Sequence, residues 1–128
     1  MFFLGETSRK NLYGVDAELY KVVELALSIS KIDFGIPSDG GLRTAERQNE
    51  LYKLKVTKLD GYNKKSYHQT GKAFDVFAYV DGKASWNTKH LTHIATAILA
   101  AASQLGVVLE WGGHWMNFVD MPHYEKVR

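Results

Sequence analysis

The stretch KAFDVFAYV, residues 72 to 80, constrains the fold more than any other part of the chain. Strand alternation puts Ala73, Asp75, Phe77 and Tyr79 on one face and Phe74, Val76, Ala78 and Val80 on the other. Both faces are apolar except at Asp75, so the sequence predicts a strand covered on both sides. A carboxylate in that setting is costly unless it is paired or bound to a metal. A Lys or Arg partner would satisfy it, and so would water at a strand edge.

The segments around this strand predict a mixed architecture. Residues 16–31 place Leu19, Val22, Val23, Ala26 and Ile29 at helical spacing behind an Asp16 cap, with Val15 and Tyr20 placed as a hydrophobic staple. A short strand near FGIP and a turn at SDGG follow. A second helix over 44–55, capped by Thr44, has a thin apolar stripe and so turns a face to solvent or a cleft. The polar run VTKLDGYNKKSYHQTG reads as an exposed loop. After the strand, Asp81-Gly82 signals a turn, and a helix over 88–105 runs from an Asn87 cap to a Gly106 stop. Its stripe is Leu91, Ile94, Ala95, Ile98, Ala102 and Leu105. VVLEW and PHYEKV predict two further strands. The expected fold class is α+β, a single small domain with a mainly antiparallel sheet packed against about three helices. At 128 residues, with no repeat or linker, one domain spanning 1–128 is expected.

Several functions are set aside by what the chain lacks. It has no cysteine, so disulfides, thiolate metal sites and a cysteine nucleophile are excluded. A net charge of +2 gives no argument for nucleic acid. The opening MFFLGETSRK lacks the basic and apolar regions of a signal peptide, and no run is long enough to insert into a membrane. The expectation is a monomer made and kept in a cytoplasm.

Without cysteine, a metal must be held by His, Asp or Glu. His68 lies just before the strand, and DMPHYE near the end places Asp120 three residues before His123. Two imidazoles and one carboxylate form a common catalytic Zn²⁺ set, with a further carboxylate left as general base. Spacing does not say which of Asp75 and Asp120 plays which part. The cost of burial favours Asp75 as the ligand. His90 and His93, at i and i+3, read better as surface residues. His114 reads either as lining a substrate groove or as packing between Trp111 and Trp115, and Trp115 is itself a candidate substrate contact.

SYHQTGKAFD fits S-x-H-x-x-G-x-A-x-D, and the chain thereby resembles the zinc peptidoglycan peptidases. These comprise the D-alanyl-D-alanine carboxypeptidases and dipeptidases and the L-alanyl-D-glutamate endopeptidases of phage endolysins. GLRTAERQNELY resembles the family's Arg-Ser/Thr-x-x-x-Gln helix start, and WGGHWMNFVDMPHYE its closing acid-x-x-His motif. The resemblance covers nearly the whole chain and leaves no room for a separate wall-binding domain. It implies a hedgehog/D-Ala-D-Ala-peptidase-like fold, with Zn²⁺ on His68, Asp75 and His123. It also implies Asp120 as base, Arg43 at the developing oxyanion, and Ser66 and Gln48 as supporting or substrate contacts. Arg43 could instead pair with Asp39. Asp120 stands where the carboxypeptidase branch often has Glu, and His114 where relatives often have an acid. The implied activity is hydrolysis of the L-Ala–D-Glu bond by a phage or prophage endolysin, freed from the host cytoplasm by a holin. A D-alanyl-D-alanine carboxypeptidase and a zinc-holding hedgehog-like binding domain are the alternatives.

Overall fold

The computed structural model describes residues 1–127. Helices α1 (Glu6–Asn11) and α2 (Ala17–Ile29) are followed by β1 (Asp33–Gly35) and α3 (Ala45–Lys53). A 3₁₀ turn at Tyr67–Thr70 leads into β2 (Ala73–Asp75), β3 (Phe77–Val80) and β4 (Lys83–Ser85). The long helix α4 (Thr88–Leu105), β5 (Leu109–Trp111), a second 3₁₀ turn at Gly112–His114 and β6 (His123–Lys126) complete the chain. The α+β class holds, with a fourth, short helix, α1, that the sequence reading lacked.

The expected caps form. Asp16 accepts from the Glu18 N–H, Thr44 from Arg47 and Asn87 from Lys89, and Gly106 closes α4 in the left-handed region at φ 71°. Helices α2 and α4 pack together, and their Leu19, Val22, Val23, Ile94 and Ile98 are fully buried in the common core. Two stripe residues differ from expectation. Ile29 and Leu105 sit in the last turns of their helices and stay 45% and 41% exposed, while Leu27 is buried. Helix α3 buries one side chain, Gln48, which accounts for its thin stripe.

The segment 72–80 is two strands rather than one. β2 pairs with β6 in the sheet β2-β6-β5, and β3 pairs with β1 and β4 in the sheet β1-β3-β4, all antiparallel. The chain changes sheets at Val76, whose N–H donates to the Pro122 carbonyl, while the Asp75 N–H donates to Gly40. Phe74, Val76 and Ala78 are fully buried on one face. On the other face Ala73 is buried but Tyr79 is 47% exposed, so the strand is covered on both sides at its start alone. Asp81 and Gly82, both at positive φ, form the two-residue turn of the β3–β4 hairpin. Among the described residues no helix is long and apolar enough to cross a membrane.

Candidate metal centre and cleft

The polar run before β2 is exposed at Val56, Lys58 and residues 62–65, as expected, but its last part turns inward. Ser66, His68 and Gly71 are buried. Ser66 Oγ accepts from the His68 N–H at 3.2 Å, and the Ser66 N–H donates to Gln69 Oε1 at 2.9 Å, which closes a capping box. Gly71 ends the turn in the left-handed region at φ 71°, where a Cβ would meet the Gly14 carbonyl at 2.6 Å. His68 therefore enters the interior on a fixed backbone.

Pairing in the β2–β6 ladder assembles the rest. Asp75 lies opposite His123, and Ala73 opposite Glu125. With side chains alternating along each strand, these four share one face, and Phe74 and Tyr124 stack on the other with ring centroids 5.2 Å apart. His123 Nδ1 is 3.0 Å from Asp75 Oδ1, and His68 Nε2 is 3.3 Å from both that oxygen and His123 Nδ1. One ligand atom from each of His68, Asp75 and His123 lies within 4.8 Å of the others, the spacing of a possible metal site.

The donor chemistry suits a cation. His68 Nδ1 lies 2.9 Å from the Gly41 carbonyl, so it carries the proton and leaves Nε2 facing the centre. His123 Nε2 is 2.8 Å from Glu125 Oε1, which leaves Nδ1 facing the same point. Burial alone would raise the Asp75 pKa, but its contacts with His123 and His68 outweigh it and hold the carboxylate far below its usual range. Burial likewise opposes charge on His123, yet Asp75 and Glu125 together lift its pKa to about 9. A proton held between His123 and Asp75 thus sits where the three donors converge, and a metal ion would take its place.

Arg43 reaches the same place. Its Nη2 is 3.6 Å from Asp75 Oδ2 and donates to the Asp39 carbonyl at 2.7 Å, and its Nη1 donates to Gln48 Oε1 at 2.9 Å. The Asp39 carboxylate is instead engaged by Arg47. Asp120 comes from the loop before β6. The Asp120 N–H donates to the Gly112 carbonyl, and a Cβ on Gly112 would lie 2.1 Å from the Asp120 oxygen, so this approach requires glycine. Burial, then the charge of Asp75, raises the Asp120 pKa against the pull of His123, His68 and Arg43.

All of these face one cleft of about 740 Å³, lined by Arg43, His68, Asp75, Asp120 and His123, with Trp115 and Ser66 on its walls. Gln48 is fully buried and outside that lining, and it braces Arg43 and the Leu59 carbonyl. His114 is exposed, edge-on to Trp111 at 4.8 Å, and does not line the cleft. His90 bonds Ser85 Oγ at 2.9 Å, away from the centre. The sequence reading missed Glu125. Its signal was period-2 spacing from His123, which puts both on one strand face.

A cleft-facing His–Asp–His set that could hold a metal ion, a neighbouring carboxyl and a half-buried arginine suit the arrangement of a metal-dependent hydrolase. Comparison with known proteins agrees. The family model described as phage L-alanyl-D-glutamate peptidase matches residues 1–127. The L-alanyl-D-glutamate peptidase of Escherichia phage T5 is 34% identical over 115 residues, covering 89% of this chain and 82% of that protein. The peptidoglycan L-alanyl-D-glutamate endopeptidase CwlK of Bacillus subtilis (strain 168) is 32% identical over 98 residues, taking in 68% of this chain and 58% of CwlK. The crystal structure of the Serratia marcescens L-Ala D-Glu endopeptidase ChiX superposes with a TM-score of 0.85 at 35% identity, over 95% of this chain and 87% of that one. The chain belongs to the phage L-alanyl-D-glutamate peptidase family.

Proposed function

We propose that the protein hydrolyses the L-Ala–D-Glu bond of peptidoglycan stem peptides, with Zn²⁺ held by His68, Asp75 and His123. The observation that carries this reading is the convergence of those three donors with Asp120 and Arg43 on one cleft, in a chain that matches the family along residues 1–127. An ion held by these residues would supply Lewis acidity and lower the pKa of a water. Asp120 accepts the proton that the attacking water gives up and returns it to the departing amine. A carboxyl whose pKa is raised by burial suits that exchange. Arg43, clamped by Gln48 and the Asp39 carbonyl, offers a fixed positive charge to the oxygen that becomes negative. Ser66 holds the His68 backbone, and Trp115 forms a wall for the peptide. In this reading the protein is a phage or prophage endolysin that waits in the host cytoplasm until a holin-type opening admits it to the wall.

The test is a digest of purified muropeptides by the zinc-loaded protein, read by mass spectrometry. Free L-Ala left on muramic acid and a new amino-terminal D-Glu are the expected products. Release of D-alanine alone overturns the bond assignment and makes the enzyme a carboxypeptidase. Asp120→Ala should keep its zinc and lose roughly 10²–10⁴-fold in rate, the range of a general base.

A further inference from the structure

Glutamate has two carboxyl groups, and a peptide chain uses one. A stem peptide cut between L-Ala and D-Glu therefore carries a free carboxylate on the residue that holds the departing nitrogen. Something in the cleft has to meet that charge close to the reacting bond.

The charges facing the cleft are largely committed to one another. Asp39 is taken by Arg47, Asp75 by the two histidines and Arg43, and Glu125 by His123. Two cations lining the cleft, Lys58 and Lys65, make no ion pair among the described residues. Lys65 also lines a neighbouring groove of about 660 Å³, but the other lysines there, Lys72 and Lys126, are held by Asp16. The uncommitted positive charge lining the cleft is thus that of Lys58 and Lys65.

The backbone that carries these two lysines is fixed. Asp60 Oδ1 accepts from the N–H groups of Tyr62, Asn63 and Lys64, each at 2.9 Å. Asn49 Nδ2 donates to the Asp60 carbonyl and Gln69 Nε2 to the Gly61 carbonyl. Gln48 donates to the Leu59 carbonyl and, with its other end, accepts from Arg43. One buried side chain therefore sets the spacing between the lysine-bearing loop and the arginine of the reacting centre. Such a brace lowers the ordering cost of binding a charged ligand there.

We propose that Lys58 and Lys65 hold the free carboxylate of the glutamate on the amine side of the scissile bond, and so make the enzyme selective for stem peptides in which that group is charged. The proposal rests on the bond assignment above. Masking the carboxylate as a carboxamide removes the anion and little else, so the two peptide forms isolate this contact.

The experiment compares two synthetic stem peptides that differ in that group alone, carboxylate against carboxamide, as kcat/KM for the zinc-loaded enzyme. The wild type should favour the carboxylate about tenfold, mainly through KM, the size expected of two exposed charge contacts. The preference should shrink as salt rises. The double variant K58A/K65A should bring the ratio close to one with its zinc content kept, and K58R/K65R should restore it. A double variant that keeps the wild-type ratio, or a wild type with no preference, overturns the proposal while leaving the bond assignment intact. A wild type that cuts neither peptide between L-Ala and Glu overturns both.

Discussion

The chain on either side of Val76 builds two sheets of the same size and sense with opposite roles. In β1-β3-β4 the inner face carries the buried Phe34 and Ala78, and Phe77, Tyr79 and Trp86 form an aromatic group on the other. In β2-β6-β5 the inner face carries Phe74, Tyr124 and Trp111 in stacked succession, and the other face carries Asp75, His123 and Glu125. Backbone pairing does not separate them. The difference lies in what lies on the outward face: in the first sheet a partly exposed aromatic group, with Tyr79 47% exposed, and in the second the His68 turn, the Gly40–Gly41 backbone and Arg43. A polar face closed over in this way must be satisfied from within, and its residues meet that demand with one another and with Arg43. The first sheet is held by apolar burial, the second by burial on one face and charge on the other.

The strongest way to break this contrast is to remove a charge partner from the second sheet. His123→Ala should abolish bound zinc by elemental analysis. It should lower hydrolysis by more than the roughly 10–100-fold typical of losing an outer hydrogen-bond partner of a metal ligand. Tyr79→Ala, at an outward position of the first sheet, should leave both unchanged. Retained zinc in His123→Ala would show that the donor set is drawn wrongly.

The inner faces should behave alike in kind and be large in effect. Phe74→Ala removes a fully buried ring stacked on Tyr124, and should cost about 3–5 kcal/mol in urea unfolding. Tyr79→Ala, at 47% exposure, should cost about 1 kcal/mol or less. Equal costs would mean that the face of Tyr79 is covered in solution.

The sequence made some of this legible and hid the rest for physical reasons. Caps and helical periodicity are local, so Asp16, Thr44, Asn87 and Gly106 read correctly. Asp75, His68 and His123 were legible because a charge in an apolar strand demands a partner and few residue types could supply one. The sheet switch at Val76 was not, because alternation continues through it and pairing partners are set far away in the chain. Burial of the 66–71 turn was hidden by its polar composition, since its side chains satisfy its own backbone. Glu125 was quoted in the motif yet carried no role, because its role depends on which nitrogen of His123 faces inward. Gln48, read by resemblance as a supporting or substrate contact, lies behind Arg43 in the supporting position.

Glu125 sharpens the comparison at smaller scale. Glu125→Gln keeps the size of the side chain and an oxygen for His123 Nε2 but removes the charge. Zinc affinity, by chelator competition, should fall roughly 10–100-fold, and activity should return at saturating zinc. Unchanged affinity would reduce Glu125 to a wall of the cleft.

The smallest effect concerns the edge of the second sheet. Lys72, just before β2, and Lys126, in β6, both contact Asp16 at the start of α2, and Lys126 also contacts Glu18. The strands of β1-β3-β4 carry no such pair among the described residues. The Lys72 hydrogen bond leads in lowering the Asp16 pKa to about 2, against burial and with help from the Glu18 N–H and Lys126. A folded pKa below the unfolded value of about 3.9 adds stability that is complete above the unfolded value. That stability is lost as pH falls from there through about 2. Asn caps helices about as well as Asp, so Asp16→Asn removes the charge and keeps the cap. The variant should be about 1 kcal/mol or less weaker at pH 7, as expected of pairs open to solvent. In urea titrations the gap should close as pH approaches 2. No gap at any pH would leave Asp16 acting as a cap alone and the second sheet without an ionic seam.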